Sequence, residues 1–133
     1  MSKFFFLLLA FCFNSALFIK AQVVQDTVIL KVSEFILCRD VIEREPYEPV
    51  SSFSLENNKA WVFARVYNSN GLTDLKFKWY LNDELISEVP VKIGNSSNWR
   101  TYSNSNLRKG FWRVELQTTD SLILSELRFN VSE

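Results

Sequence analysis

The sequence predicts an all-β domain: an antiparallel immunoglobulin-like β-sandwich of seven or eight strands, following a cleaved N-terminal signal peptide. Three observations carry this. After residue 21 the apolar residues recur at period two, in short runs rich in Phe, Trp, Tyr, Val and Ile, and nowhere at helical spacing. Clusters of turn-forming residues separate the runs: Asn68-Ser69-Asn70-Gly71, Asn82-Asp83-Glu84, Gly94-Asn95-Ser96-Ser97 and Thr119-Asp120-Ser121. No internal repeat, low-complexity tract or long linker splits the chain, so residues 22–133 read as a single β-sandwich domain. A small closed barrel is the alternative reading of the same pattern.

Residues 1–21 read as the signal peptide. Lys3 supplies the basic start, Phe4 to Phe13 the apolar core, and Ile19-Lys20-Ala21 a cleavage site before Gln22. An uncleaved anchor from Phe4 to Ile19 falls short of the length a helix needs to cross about 30 Å of hydrocarbon, and Asn14-Ser15 interrupt it. The expected location is therefore exported, either periplasmic or secreted. Cleavage removes Lys3 and Lys20 and leaves 13 basic against 15 acidic side chains, a net of −2. Nucleic acid and anionic bilayers both demand clustered positive charge, so neither is an expected partner, and no membrane insertion of the mature chain is expected.

The run from Thr27 to Ile42 changes phase. Val28, Leu30 and Val32 share one parity and Phe35, Leu37 and Val41 the other, which predicts a bulge or break near Ser33-Glu34. Pro46 and Pro49 cannot donate to a ladder, so the chain is expected to leave the first sheet at Arg44-Glu45-Pro46. Phe53 to Leu55 reads as a short strand. Ala60 to Tyr67 reads as a longer, central one, apolar on both faces apart from Arg65. Leu75, Phe77, Trp79 and Leu81 alternate with Lys76, Lys78 and Tyr80, as in a strand with one wet face. In the next run, Leu85, Val89, Val91 and Ile93 keep an apolar parity, and Pro90 marks an edge or bulged strand. Leu122 to Val131 gives the last strand, with Leu127, Phe129 and Val131 on one face.

Between these lies Asn98 to Gln117, which reads as a β-hairpin around a loop at Asn104 to Gly110. Trp112, Val114 and Leu116 share one parity, so Phe111, Arg113 and Glu115 point the other way. On the partner run, Arg100 and Tyr102 alternate with Trp99, Thr101 and Ser103. With both tryptophans inward, Arg100, Tyr102, Phe111, Arg113 and Glu115 share one outer face. Trp, Tyr and Arg dominate interface energetics, so this face is the expected binding surface. Its bland alternative is an arginine and aromatic ladder that only stiffens the sheet, each contact contributing on the order of 0.5 to 1 kcal/mol.

Several chemistries lack their residues. The chain has no histidine, which removes Ser-His and Cys-His nucleophile pairs and the commonest zinc ligand. Three scattered glycines make no phosphate-cradling loop, and no cofactor or metal site is expected. The mature chain keeps only Cys38, read as a buried apolar strand residue, so no internal disulfide forms. Paired carboxylates such as Asp40 and Glu43 can still act without histidine, as in a small carbohydrate-active hydrolase. Solvated loop charge is the simpler reading, because a domain this small has little room for a cleft around two converging acids.

Cys38 followed by Arg44-Glu45-Pro46, then Trp79-Tyr80, Trp99-Arg100-Thr101-Tyr102-Ser103, Gly110-Phe111-Trp112-Arg113-Val114 and Phe129-x-Val131 resembles a bacterial family, the domain of unknown function number 2914. The resemblance runs from about Val32 to Val131. It implies an exported or envelope-associated β-domain with no assigned activity and no catalytic residue. The chain departs from the family pattern at Lys78, where a histidine is expected, and at Asp120-Ser121, where an Asp-Gly turn is expected. Together these readings give a non-enzymatic binding or protein-interaction domain of the envelope. Its expected partner is an envelope protein or polysaccharide, and the same surface is compatible with a homo-oligomer. A structural subunit of an envelope assembly is the further alternative.

Overall fold

The computed structural model describes residues 29–133, and the predicted signal peptide lies outside the described residues. Every element among them is a strand: β1 (Leu30–Ile42), β2 (Glu45–Pro49), β3 (Phe53–Ser54), β4 (Lys59–Asn68), β5 (Thr73–Leu81), β6 (Glu84–Ile93), β7 (Ser96–Asn106), β8 (Gly110–Thr118) and β9 (Ile123–Ser132). They form two sheets, ordered β2-β1-β4-β7 and β3-β9-β8-β5-β6. This is the predicted all-β sandwich, open at its edges rather than closed as a barrel. It has nine strands where seven or eight were expected, and one pair, β3 with β9, is parallel.

The core is where the two period-two patterns meet. Val62, Ala64 and Val66 of β4 face Leu75, Phe77 and Trp79 of β5, with Trp112, Val114 and Leu116 of β8 beside them, all almost fully buried. Trp79 and Trp112 pack edge to face with centroids 6.2 Å apart, Trp112 stacks on Phe129 at 5.9 Å, and Phe35 lies over Phe77 at 6.3 Å. Each fully buried large side chain stabilises by roughly 1.5–3 kcal/mol through area alone, and aromatic pairs add about 0.5–1.5 kcal/mol. The one polar atom of Trp79 is satisfied across the sandwich, its Nε1 donating to Ser103 Oγ at 3.0 Å. That bond ties β5 of one sheet to β7 of the other.

The expected phase change in β1 is a β-bulge between Val32 and Glu34. It turns Glu34, Ile36 and Cys38 to the outer face while Phe35 and Leu37 enter the core. Cys38 is fully buried. β4 is central and β6 is an edge strand carrying Pro90, both as predicted.

Three expectations are corrected. The chain does not leave the first sheet at Arg44-Glu45-Pro46. It turns at Glu43 and Arg44, both at positive φ (53° and 63°), and returns as β2, whose prolines are tolerated because β2 is an edge. Leu85 does not share the core face with Val89 and Val91, because a bulge at Trp79/Tyr80 places it opposite Tyr80, where it is exposed. The third concerns the Asn98 to Gln117 hairpin. Its two strands do not pair: β7 pairs with β4, and β8 pairs with β5 and β9. Each strand finds a larger apolar partner in a different sheet, so the loop at 107–109 crosses the sandwich. Leu107 packs against the core, and the carbonyl of Arg108 accepts from Trp112 Nε1 at 2.8 Å.

Candidate functional site: two aromatic and arginine surfaces

That crossover splits the predicted binding face. Arg100 and Tyr102 lie on the outer face of the four-stranded sheet, and Phe111, Arg113 and Glu115 on the outer face of the five-stranded one, so the two groups look out from opposite sides of the molecule. Both tryptophans do face inward, Trp112 buried and Trp99 half-buried against the core. The parity reading was right within each strand. It failed only in joining the strands.

On the five-stranded sheet, Arg113 is the hub. Its guanidinium lies 4.1 Å from the centroid of the Tyr80 ring, its Nε donates to Glu115 Oε2 at 3.0 Å, and its Nη1 donates to Asp83 Oδ1 at 2.7 Å. Glu115 is only 6% exposed although it lies on an outer face, and its Oε1 accepts from Gln117 Nε2 at 2.6 Å. Glu115 is thus an internal anchor of the ladder rather than a group free to meet a ligand. Phe111 is the opposite case, with 72% of its surface exposed. Its backbone is fixed from both sides by Asn82, whose Oδ1 accepts from Phe111 N at 3.0 Å and whose N donates to Phe111 O at 2.7 Å. Asn82 and Asp83 adopt positive φ (49° and 69°) to make this turn. The ring stands at the rim of a cleft of about 450 Å³ that Asp83, Arg113 and Arg128 also line.

On the four-stranded sheet, Arg65 and Arg100 are direct neighbours across β4 and β7. Glu45, near the tip of the β1–β2 hairpin, takes both: Oε1 accepts from Arg65 Nη2 at 2.9 Å and Oε2 from Arg100 Nη1 at 2.6 Å. These bonds, Arg100's first, hold the Glu45 carboxyl below its ordinary range. Arg65 also donates to Glu34 through Nε and to Asn98 Oδ1 at 2.9 Å, and its guanidinium lies 5.2 Å from the Phe63 ring. The hairpin therefore reaches over this face, on which Phe63 and Cys38 are completely buried and Ile36 half-buried. Tyr102 remains 39% exposed, tilted against Trp61 at 6.1 Å.

Asp40 and Glu43, the acids considered for hydrolysis, stand apart in role. Asp40 Oδ1 accepts from Val41 N at 2.7 Å, and Glu43 is exposed in the turn. The predicted binding face did not include Asn82, Asp83, Tyr80, Arg65 or Glu45. Tyr80 was legible on the wet face of its strand, but its partner Arg113 depends on the β5–β8 register, which no local pattern encodes.

Residues 73–131 match the family model described as protein of unknown function (DUF2914). The chain carries a DUF2914 match over β5 to β9. The DUF2914 stretch includes Trp79-Tyr80, both Trp-Arg units and Phe129 to Val131, and it begins well after Val32, so Cys38 and Arg44-Glu45-Pro46 fall outside it. No curated protein matches the chain. Among solved structures, a β-glucosidase from Kluyveromyces marxianus is similar at 14% identity with a TM-score of 0.46, over 80% of this chain and 14% of that one. A CARDB domain from Pyrococcus furiosus, solved in complex with di-metal ions, is similar at 13% identity with a TM-score of 0.47, over 80% of this chain and 94% of that one. A β-D-glucoside glucohydrolase from Trichoderma reesei is similar at 12% identity with a TM-score of 0.45, over 89% of this chain and 22% of that one. At these TM-scores the likenesses assign neither topology nor function.

Proposed function

We propose that this chain is an exported, non-enzymatic binding module of the bacterial cell envelope that meets a protein or polysaccharide partner through the outer face of its five-stranded sheet. The observation that supports it most is Phe111: a large aromatic ring, mostly in solvent, on a backbone that Asn82 holds from both sides. An exposed ring with fixed backbone loses little conformational entropy on binding, and aromatic and arginine side chains around a concavity are the usual energetic centres of interfaces. Arg113 serves this surface by keeping Tyr80 and Asp83 in place.

The test uses the tagged full-length protein, recovered from the envelope fraction of its bacterial host, with Phe111→Ser beside it. The expected outcome is a co-purifying partner that Phe111→Ser loses by tenfold or more, about 1.4 kcal/mol or above, while its thermal midpoint stays within a degree or two of the parent. Equal recovery by both proteins overturns the reading of this face, and accumulation of the protein in the cytoplasm overturns export.

A further inference from the structure

We infer that the seam between the two sheets holds a second, separate site, a groove that binds a saccharide carrying a carboxylate. The groove has a volume of about 420 Å³ and is lined by Arg44, Lys92, Arg100, Trp99, Tyr102 and neighbouring backbone. Its cations come from three elements that only the tertiary fold brings together: the β1–β2 turn, the edge strand β6 of one sheet and the edge strand β7 of the other. No carboxylate lines it. Lys92 and Arg100 are already paired with Asp74 and Glu45, which leaves Arg44 as the uncommitted cation of the groove among the described residues.

The three cations are not equally committed. Lys92 Nζ donates to Asp74 Oδ1 at 2.7 Å, and Arg100 shares Glu45 with Arg65, so one carboxylate serves two guanidiniums. Arg44 is exposed and makes no ion pair or side-chain hydrogen bond among the described residues, although the turn places it at φ 63°. An arginine held there without an internal partner presents a full fork of donors, the geometry that binds carboxylate in two parallel bonds. Arg100, by contrast, meets Glu45 through a single bond, Nη1 to Oε2 at 2.6 Å, and keeps its other donors free of carboxylate among the described residues.

The rings select what bears the acid. Tyr102 is braced by Trp61, and Trp99 lies so close beneath Gly94 that an added Cβ there would stand 3.1 Å from the ring. Tyr102, exposed on the same outer face as Arg100, suits a sugar whose apolar ring face stacks while its acid group meets a guanidinium, and inward-facing Trp99 closes the floor of the groove. The volume falls at the small end of ligand clefts, roughly 300–1,000 Å³, which fits two or three sugar units. A protein partner would instead seek a wider apolar centre, and none borders this groove.

The test is titration of the full chain with trigalacturonate, with its neutral counterpart trigalactose, and with a hexaglutamate peptide, followed by calorimetry and by tryptophan fluorescence. Trigalacturonate should bind, weaken as salt rises, and lose about tenfold or more in affinity to Arg44→Gln with no change in thermal midpoint, because Arg44 holds nothing in the fold. Phe111→Ser should leave this binding unchanged, which separates the groove from the face proposed above. Equal affinity for trigalactose, an unaltered affinity in Arg44→Gln, or no trigalacturonate binding at millimolar concentration overturns the proposal. Hexaglutamate binding as tightly as trigalacturonate also overturns it, in favour of an acidic peptide.

Discussion

Glu45 shows how much a single exposed side chain can organise. One carboxylate bridges Arg65 and Arg100, two cations placed side by side by the β4–β7 register, and so cancels a like-charge contact while pinning the hairpin tip. Its carboxyl is held below the ordinary 4.5, first by Arg100 and then by Arg65. A depressed folded pKa contributes stability above the unfolded value and loses it as pH falls through the folded one. Glu45→Gln should therefore lower the denaturant midpoint at neutral pH, and its gap from the parent should close once pH is well below 4.5. Urea unfolding of both proteins across that range checks this, and a gap that persists undiminished in acid would show that the bridge is not its source.

At the scale of the element, the β1–β2 hairpin acts as a cover. Cys38 and Phe63 face outward from the sheet yet are completely shielded, and burial pushes the Cys38 thiol up from its ordinary value. Lifting the hairpin tip breaks Glu45's two bonds to Arg65 and Arg100, a smaller set than the core presents. A thiol reagent should label native Cys38 slowly, and Glu45→Gln should speed labelling several-fold at neutral pH. Labelling at the parent's rate would mean that Cys38 is reached only through global unfolding. None of this cover was legible in the sequence. Pro46 and Pro49 suggested an exit from the sheet, because composition cannot distinguish a segment that leaves from one that becomes an edge. The bulge at Ser33, by contrast, was written plainly in the parity of Val32 and Phe35, since a half-buried strand cannot shift phase otherwise. The same parity fixed which way Arg100, Tyr102, Phe111 and Arg113 point. What it could not say was that β7 and β8 part company, because a turn-like loop looks the same whether it joins neighbours in one sheet or crosses between two.

For the whole molecule, the family match and the folding unit do not coincide. Residues 73–131 supply β5, β6, β8 and β9, but β7 lies in the opposite sheet, where its strand partner is β4. Without β1 and β4, the apolar face made by Phe77, Trp79, Val114 and Leu116 has no cover, and Trp79 keeps only an unsupported β7 for its hydrogen bond. A fragment spanning 73–133 should thus stay unfolded or aggregate, with no dispersed amide spectrum and no cooperative melt, while residues 22–133 fold. A cooperatively folding fragment would show that the five-stranded sheet is self-sufficient.

The parallel pairing of β3 with β9 has a consequence in time. Phe53 meets Val131 and Leu55 N reaches Ser132 O at 2.9 Å, so the whole of β4 to β8 lies within the loop that this short contact closes. Closing so long a loop for so few bonds is unfavourable until the intervening strands have already brought the ends together. The β3 segment is then the last piece to seat, and until it does Phe53 waits without its partners Phe129 and Val131, an interval in which a chaperone has a ready-made hydrophobic handle.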